Sequence, residues 1–227
     1  MSLRISMILF FLFFSLYSKA GVVVGGTRLI YNEEKKDSSL SIKNEDKVNY
    51  LIQSWIENEN GTRENVPFIV TPPLFRLNAD QQNVIRAVKV SNALDAKKES
   101  LYWLNIKSIP STSSENSESN SLQIAIKTRI KLIYRPKELN RMKPEDLMKL
   151  LKFTSSNGKI KIYNPTGFYM NLNSLTVNGK DVDNVKYVPP MSYVSYDLES
   201  NNEIHGKIKI SIINDFGGIS PNMAFDF

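Results

Sequence analysis

The 227-residue sequence contains no cysteine and a single histidine, His205. Without cysteine there is no disulfide, no thiol chemistry and no cysteine metal site, so each domain must bury enough apolar surface to fold without cross-links. A Ser-His-Asp arrangement or a histidine zinc centre would depend on His205 alone. Its place between Ile204 and Gly206 indicates a solvated turn instead.

Other fragments of functional motifs are incomplete. Asp181 and Asp183 have the spacing of a calcium loop but lack the remaining ligands. The stretch Val24-Gly25-Gly26-Thr27 lacks the spacing and the lysine of a phosphate loop, and Asn60-Gly61-Thr62 is typical of a hairpin turn. The sequence therefore predicts no catalytic residues, no metal and no cofactor.

Long hydrophobic runs are also absent, except near the start. An apolar run over residues 5–17 follows Arg4 and precedes Ser18-Lys19-Ala20, which is the three-part layout of a secretory signal peptide. The run is shorter than the roughly 18 apolar residues that a membrane span needs, so cleavage after Ala20 is favoured over an anchor. The net charge of +6 is modest and spread along the chain, and it indicates neither nucleic acid nor a lipid surface as a partner.

Period-two alternation of apolar and polar residues dominates the rest of the chain and indicates many short β-strands. Turn dipeptides such as Asn157-Gly158 and Asn178-Gly179 separate the strands, as in β-sandwiches. The predicted strands are 22–31, 50–56, 84–90, 101–109, 122–134, 159–163, 172–177, 193–198 and 207–213.

Two stretches interrupt the alternation. Residues 111–121 are almost wholly Ser, Thr, Asn and Glu, which predicts an exposed loop. Residues 136–151 are rich in Lys and Leu, and Lys143-Pro144-Glu145-Asp146 is typical of the first turn of a short helix. A domain boundary is placed here, with a first domain over 21–139 and a second over 145–227.

The strand predicted over residues 122–134 is unusual in length and regularity. Its even positions are apolar from Leu122 to Tyr134, apart from Thr128, and its odd positions include three basic residues. Strands of small sandwiches have about 5 to 6 residues, so the end near Leu122 should extend beyond its own core. One interpretation is a long strand with an ordinary buried face, and the other is an exposed edge that binds a partner strand.

Several blocks in this order resemble the periplasmic chaperones of the chaperone–usher pathway, which assemble type 1 and P pili. The blocks are Gly26-Thr27-Arg28-Leu29-Ile30-Tyr31, Ser54-Trp55-Ile56-Glu57-Asn58, Thr71-Pro72-Pro73-Leu74-Phe75, the signature from Glu99 to Pro110, Arg129 to Pro136, Tyr163-Asn164-Pro165-Thr166 and Ile213 to Gly218. The resemblance covers essentially the whole chain after residue 20.

The resemblance implies an all-β fold of two immunoglobulin-like β-sandwich domains set at an angle around a cleft. It implies that Arg28 and Lys131 anchor the C-terminal carboxylate of a pilin, and that a donor strand completes the pilin fold. The donor residues would be Leu122, Ile124 and Ile126. An ion cluster joining the domains would consist of Glu99, Arg135 and Asp215, while Lys98 stands where the family more often has arginine.

The resemblance further implies that the protein acts in the periplasm and delivers pilins to an outer-membrane usher without nucleotide. The short loop at 111–121 and the absence of cysteine resemble the short-loop branch of the family. When free, the chain could dimerise to cap its own edge. An exported adhesin or carbohydrate-binding module is the main alternative, but it would place aromatic residues on exposed loops, whereas Tyr102, Trp103 and Tyr134 lie in strand patterns. An exported enzyme is disfavoured by the lone histidine.

Overall fold

The computed structural model describes residues 21–111, 122–198 and 205–227. The predicted signal peptide and nearly all of the predicted polar loop lie outside the described residues. In the ranges that the structure covers, none of the helices has the length and apolar character needed to cross a membrane.

The first domain is a sandwich of two β-sheets. One sheet has the strand order β1-β3-β7-β5 and the other β2-β9-β8-β4-β6. The strands are β1 (Val22–Val24), β2 (Arg28–Asn32), β3 (Asp37–Asn44), β4 (Tyr50–Glu57), β5 (Phe68–Thr71), β6 (Leu74–Leu77), β7 (Gln82–Lys89), β8 (Ser100–Pro110) and β9 (Ile126–Arg135).

Alternating side chains of both sheets fill the space between them, as the period-two pattern requires. On β9 the row that faces the core contains Ile130, Leu132 and Tyr134, which are all buried. Tyr134 and Tyr31 pack around Phe68, whose ring centroid lies 5.1 Å from that of Tyr31. This core forms without any cross-link.

The segment predicted as one strand over residues 22–31 is two strands that belong to different sheets. β1 pairs with β3, whereas β2 pairs in parallel with β9. The chain crosses between the sheets at Gly25 and Gly26. A Cβ atom at Gly25 would lie 2.0 Å from Ser41 Oγ and 3.2 Å from the backbone oxygen of Ser41, so any larger residue would have to displace the Ser41 side chain. The prediction was wrong because the core-facing positions shift from Val22 and Val24 in β1 to Leu29 and Tyr31 in β2, and the consecutive valines and glycines hide this shift.

The second domain is a smaller sandwich with sheets ordered β10-β11-β15 and β13-β12-β16-β17, in which β14 also pairs with β12. Its buried cluster includes Ile160, Phe168 and Ile210. The strands are β10 (Lys152–Ser156), β11 (Lys159–Asn164), β12 (Met170–Val177), β13 (Lys180–Asp181), β14 (Tyr187–Val188), β15 (Ser192–Asp197), β16 (Lys207–Ile212) and β17 (Met223–Asp226).

A short connection joins the two sandwiches. It contains the helix α1 (Pro144–Leu147), with Pro144 in the first helical turn, as the sequence predicts. Leu139 and Met148 in this connection are buried and pack into the core of the second domain.

The long strand predicted from residue 122 begins four residues later, at Ile126. Its antiparallel ladder with β8 ends at the pair Ser108–Ile126. Further along β8 stands Pro110, which has no N–H to donate, and the side chain of Gln123 donates to the Pro110 carbonyl. The main chain of residues 122–125 therefore leaves the sheet.

Candidate functional site

The apolar alternation of β9 continues into the preceding residues 122–125, beyond the core and into solvent. Ile130 is buried, but Ile126 is 60% exposed, Ile124 is 63% exposed and Leu122 is 87% exposed. The apolar residues of this alternation are buried in the core of the first domain at the C-terminal end of β9. Towards the N-terminal end, three large apolar side chains are exposed. Exposed apolar side chains on and next to a strand edge form a surface that recruits another strand.

One edge of β9 is open over the first half of the strand. β8 pairs with β9 along Ile126–Tyr134, whereas β2, on the other side, covers only Lys131–Arg135. Within the described ranges, no further strand lies beside residues 126–130 on the β2 side. The backbone groups that point to that side can accept a strand from outside.

Arg28 and Lys131 stand where the open part of this edge ends. They face each other as the first register pair of β2 and β9. Arg28 donates from Nη1 to the backbone oxygen of Ile213 at 3.1 Å, and its Nε is buried with no hydrogen-bond partner among the described residues. Burial lowers the pKa of Arg28, partly offset by Asp215. A guanidinium with an unused buried donor is suited to bind an anion.

Lys131 is held mainly by groups of the second domain. Its Nζ donates to Oδ1 of Asn171 at 2.5 Å and lies 4.7 Å from the ring centroid of Tyr187. Burial, together with the neighbouring positive charge of Arg28, lowers the pKa of Lys131 to about 8. In the part of the chain that the structure describes, no carboxylate forms a salt bridge with Arg28 or Lys131, although Asp215 acts on Arg28 from farther away, so the two adjacent cations create a positive spot at the cleft.

The structure brings Glu99, Arg135 and Asp215 together between the domains. Arg135 donates from Nε to Glu99 at 2.7 Å and from Nη2 to Asp215 at 2.8 Å. The second Glu99 oxygen accepts from the backbone N–H of Tyr169 at 2.7 Å. Burial raises the pKa of Glu99 to about 7, against the opposing effect of Arg135. The cluster connects the start of β8 and the end of β9 in the first domain to the loop that follows β16 in the second domain.

Sequence reasoning missed an apolar contact and a hydrogen bond that also join the domains. Leu101, Ile133 and Tyr169 form a small buried cluster, and Tyr187 donates its hydroxyl to Glu59 at 2.9 Å. Leu101 and Ile133 occupy the outward positions of their strands, where apolar side chains are unexpected. Apolar residues at these outward positions are the sequence signal that could have indicated that the second domain covers this face of the sheet.

The remaining candidate residues lie apart from this site. His205 is exposed next to Gly206, and its backbone oxygen accepts from Asn178. Lys98 lies 3.8 Å from Asp95 on the surface. In the part of the chain that the structure describes, no three acidic or histidine side chains gather in a group suited to a metal ion.

Comparison with known protein families identifies the family of this chain. Residues 21–140 match the pili and flagellar-assembly chaperone PapD N-terminal domain, and residues 146–224 match the pili assembly chaperone PapD C-terminal domain. The chain belongs to the PapD family of pilus assembly chaperones. The resemblance drawn from the sequence and the all-β, two-sandwich fold class are thereby confirmed.

Relatives of this chaperone share the assignment. It is 40% identical over 199 residues to chaperone protein LpfB of Salmonella typhimurium, covering 87% of this chain and 85% of LpfB. It is 38% identical over 209 residues to chaperone protein FimC of Escherichia coli K12, covering 91% and 85%. These relatives do not favour the alternative of an adhesin.

A solved structure of a relative supports the same fold. The SafB chaperone of Salmonella enterica, determined in complex with the SafA pilin, superposes with a TM-score of 0.83 at 34% identity. The match covers 92% of this chain and 98% of that chain. The chaperone therefore acts in pilus assembly, and the role of its family is not enzymatic.

Proposed function

We propose that this chaperone works in the periplasm, where it holds an incompletely folded pilin by lending it residues 122–130 as a donor strand, and then passes it to an outer-membrane usher. The open edge of β9 next to Arg28 and Lys131 is the observation that carries the proposal. The role needs no cofactor, because binding alone stabilises the guest.

The charges at the end of the open edge select the direction of the guest strand. β9 runs from Ile126 towards Lys131, and β2 begins at Arg28 beside Lys131. A guest strand parallel to β9 would end with its carboxylate against these two cations. A strand in the opposite direction would bring its positively charged N-terminus there, which the cations repel. Charge-assisted hydrogen bonds to the carboxylate would also fix the register.

The apolar row supplies most of the binding free energy. Leu122, Ile124 and Ile126 are largely exposed in the free chaperone. Burying each side chain in a groove of the guest contributes about 1.5 to 3 kcal/mol. Three such side chains can therefore stabilise a subunit that lacks a strand of its own. A second copy of the chaperone could cover the same row when no pilin is bound, and whether it does stays a prediction.

Replacing Ile124 by aspartate should abolish pilin binding without destabilising the free chaperone. Ile124 is 63% exposed, so its loss removes little native packing, whereas a carboxylate in an apolar groove of the guest is strongly unfavourable. The measurements are co-purification of pilin from the periplasm and the melting temperature of the free chaperone.

Ala125→Asp is the matched control, because Ala125 is the exposed neighbour on the opposite side of the alternation. This variant should retain pilin. A large drop in melting temperature for Ile124→Asp would mean that the position belongs to the core, and equal pilin yield from both variants would contradict the donor assignment.

Pilin binding should also weaken as the pH rises from 7 to 9. Lys131 has a pKa lowered to about 8, so its charge is present below pH 8 and is lost above it. Because the bound carboxylate favours the charged form, the affinity should fall by up to about tenfold per pH unit above pH 8. Lys131→Arg should remove this dependence, since arginine stays charged. The same pH dependence in both proteins would exclude Lys131 as the titrating group.

A further inference from the structure

The outward side of β9 carries three cations, and each lies over an aromatic ring. The first two rings belong to the first domain, on β4 and β8, but the third belongs to β14 of the second domain. The pairs are Lys127 over Trp55 at 5.6 Å, Arg129 over Trp103 at 4.3 Å and Lys131 over Tyr187 at 4.7 Å. Only the anchor lysine among these three is held from across the cleft.

Asn171 and Tyr187 form one platform beneath the Lys131 ammonium. They are register partners on the antiparallel strands β12 and β14. Asn171 is buried, and its Nδ2 donates to the backbone oxygen of Tyr169 at 3.4 Å, which turns its Oδ1 towards Lys131. The amide orientation is thus determined by the second domain before any guest arrives.

Tyr187 is itself fixed on two sides. Its hydroxyl donates to Glu59 Oε1 at 2.9 Å, and its ring meets the ring of Tyr169 edge to face with centroids 5.5 Å apart. Burial and the bond to Glu59 raise the pKa of Tyr187 to about 12, so the ring stays neutral. The ring face therefore remains available to the ammonium at all ordinary pH values.

The platform holds the ammonium with neutral groups only. Among the described residues, Arg28 acts on the ammonium and Asp215 acts on Arg28. Arg129 and Glu59 act on Tyr187, whose hydroxyl donates to Glu59. An amide oxygen and a ring face stabilise the cation without cancelling its charge. The full charge of Lys131 is thus left for an incoming anion.

We propose that Asn171 and Tyr187 are positioning residues, which hold the Lys131 ammonium in the place where it meets the terminal carboxylate of a guest. This inference rests on the proposed pilin-binding function. It makes the second domain a part of the anchor, although the anchor residues themselves lie in the first.

Asn171→Asp provides a test in which stability and binding change in opposite directions. An aspartate at this position would form an ion pair with Lys131 inside the free chaperone, so the melting temperature should rise. The same ion pair should compete with the guest carboxylate and weaken pilin binding about tenfold or more. A merely structural role predicts that a more stable variant binds at least as well as the wild type.

Binding is measured by competition between labelled wild-type chaperone and each variant for the pilin that co-purifies with the wild-type chain. Asn171→Ala and Tyr187→Leu should each lose about tenfold in affinity, whereas Tyr187→Phe, which keeps the ring, should lose less. The pH at which pilin binding weakens should also shift downwards in Asn171→Ala, because the charged form of Lys131 loses a hydrogen bond.

Two control variants carry the same types of substitution as Asn171→Ala and Tyr187→Leu, but at positions away from Lys131. Asn173 lies on the same strand, but its amide donates to Ser211. Tyr193 also lies under a lysine, with Lys161 Nζ 3.6 Å from its ring centroid. Asn173→Ala and Tyr193→Leu should bind pilin like the wild type, with an unchanged pH profile.

Equal affinities and pH profiles for Asn171→Ala and Asn173→Ala would overturn the positioning role while leaving the proposed function intact. Tighter or unchanged binding by Asn171→Asp would overturn it as well. If the wild-type chaperone itself retained no pilin, the proposed function would fail first, so the two failures are distinguishable.

Discussion

Charge reversal at Lys131 or at Arg28 should leave the chaperone folded and reduce the yield of soluble pilin at least about a hundredfold. In the proposed complex, each variant loses charge-assisted hydrogen bonds to the guest carboxylate and adds a negative charge that repels it. Folding should survive, because a glutamate at either position lies beside the remaining cation of the register pair. The measurement is the amount of pilin that co-purifies from the periplasm.

Arg86→Glu is the control for the change in net charge, since Arg86 is exposed on β7 in the other sheet of the first domain. It should bind pilin normally, and Lys131→Arg should retain most of the binding. If Lys131→Glu yields as much pilin as Arg86→Glu, the carboxylate anchor lies elsewhere.

Replacing Arg135 by leucine should lower the free energy of unfolding by about 3 kcal/mol or more. The Arg135 side chain is 7% exposed and that of Glu99 is 1% exposed, so the variant leaves the Glu99 carboxylate buried without its cation. Asp215→Ala should cost less, because the Asp215 side chain is 25% exposed. Chemical denaturation of the purified chaperone and its variants measures these differences.

The exposed pair Lys159–Asp197 is the matched control, since its atoms lie 2.6 Å apart but both side chains are more than half exposed. Lys159→Ala should change the free energy of unfolding by less than about 1 kcal/mol. Adding Glu99→Gln to Arg135→Leu should recover part of the loss, because the buried group is then neutral. If Arg135→Leu were as mild as Lys159→Ala, the cluster would not hold the domains together.

The alternation of the sequence predicts most of the inner strands because each of them has one buried face. β8 and β16, for example, lie within a residue of their predicted bounds at each end. Short edge strands such as β6 and β13 were missed, since two to four residues do not establish a period. The crossing at Gly25 was missed because three valines and two glycines in succession show no alternation, so the shift of the core-facing positions leaves no visible break there.

The roles of the site residues come from the family resemblance, and the geometry agrees with them without testing them. From the sequence alone, Arg28 and Lys131 are interpreted as solvated strand charges, and only the structure reveals that both are partly buried at the cleft. Asn171 and Tyr187 could not be found from the sequence, because their importance depends on how two separately folded sandwiches meet. No local pattern records a contact between residues 40 positions apart.

The starting point of β2 determines how much of the β9 edge remains unpaired on that side within the described residues. β2 can begin only after the glycine pair has carried the chain from one sheet to the other, and it therefore reaches β9 no earlier than Lys131. If the crossover came five residues earlier in the sequence, β2 could pair with β9 along its whole length, as far as Ile126. Such a chain would leave no open edge on β9, so the edge that we propose for pilin binding depends on where Gly25 and Gly26 stand in the sequence.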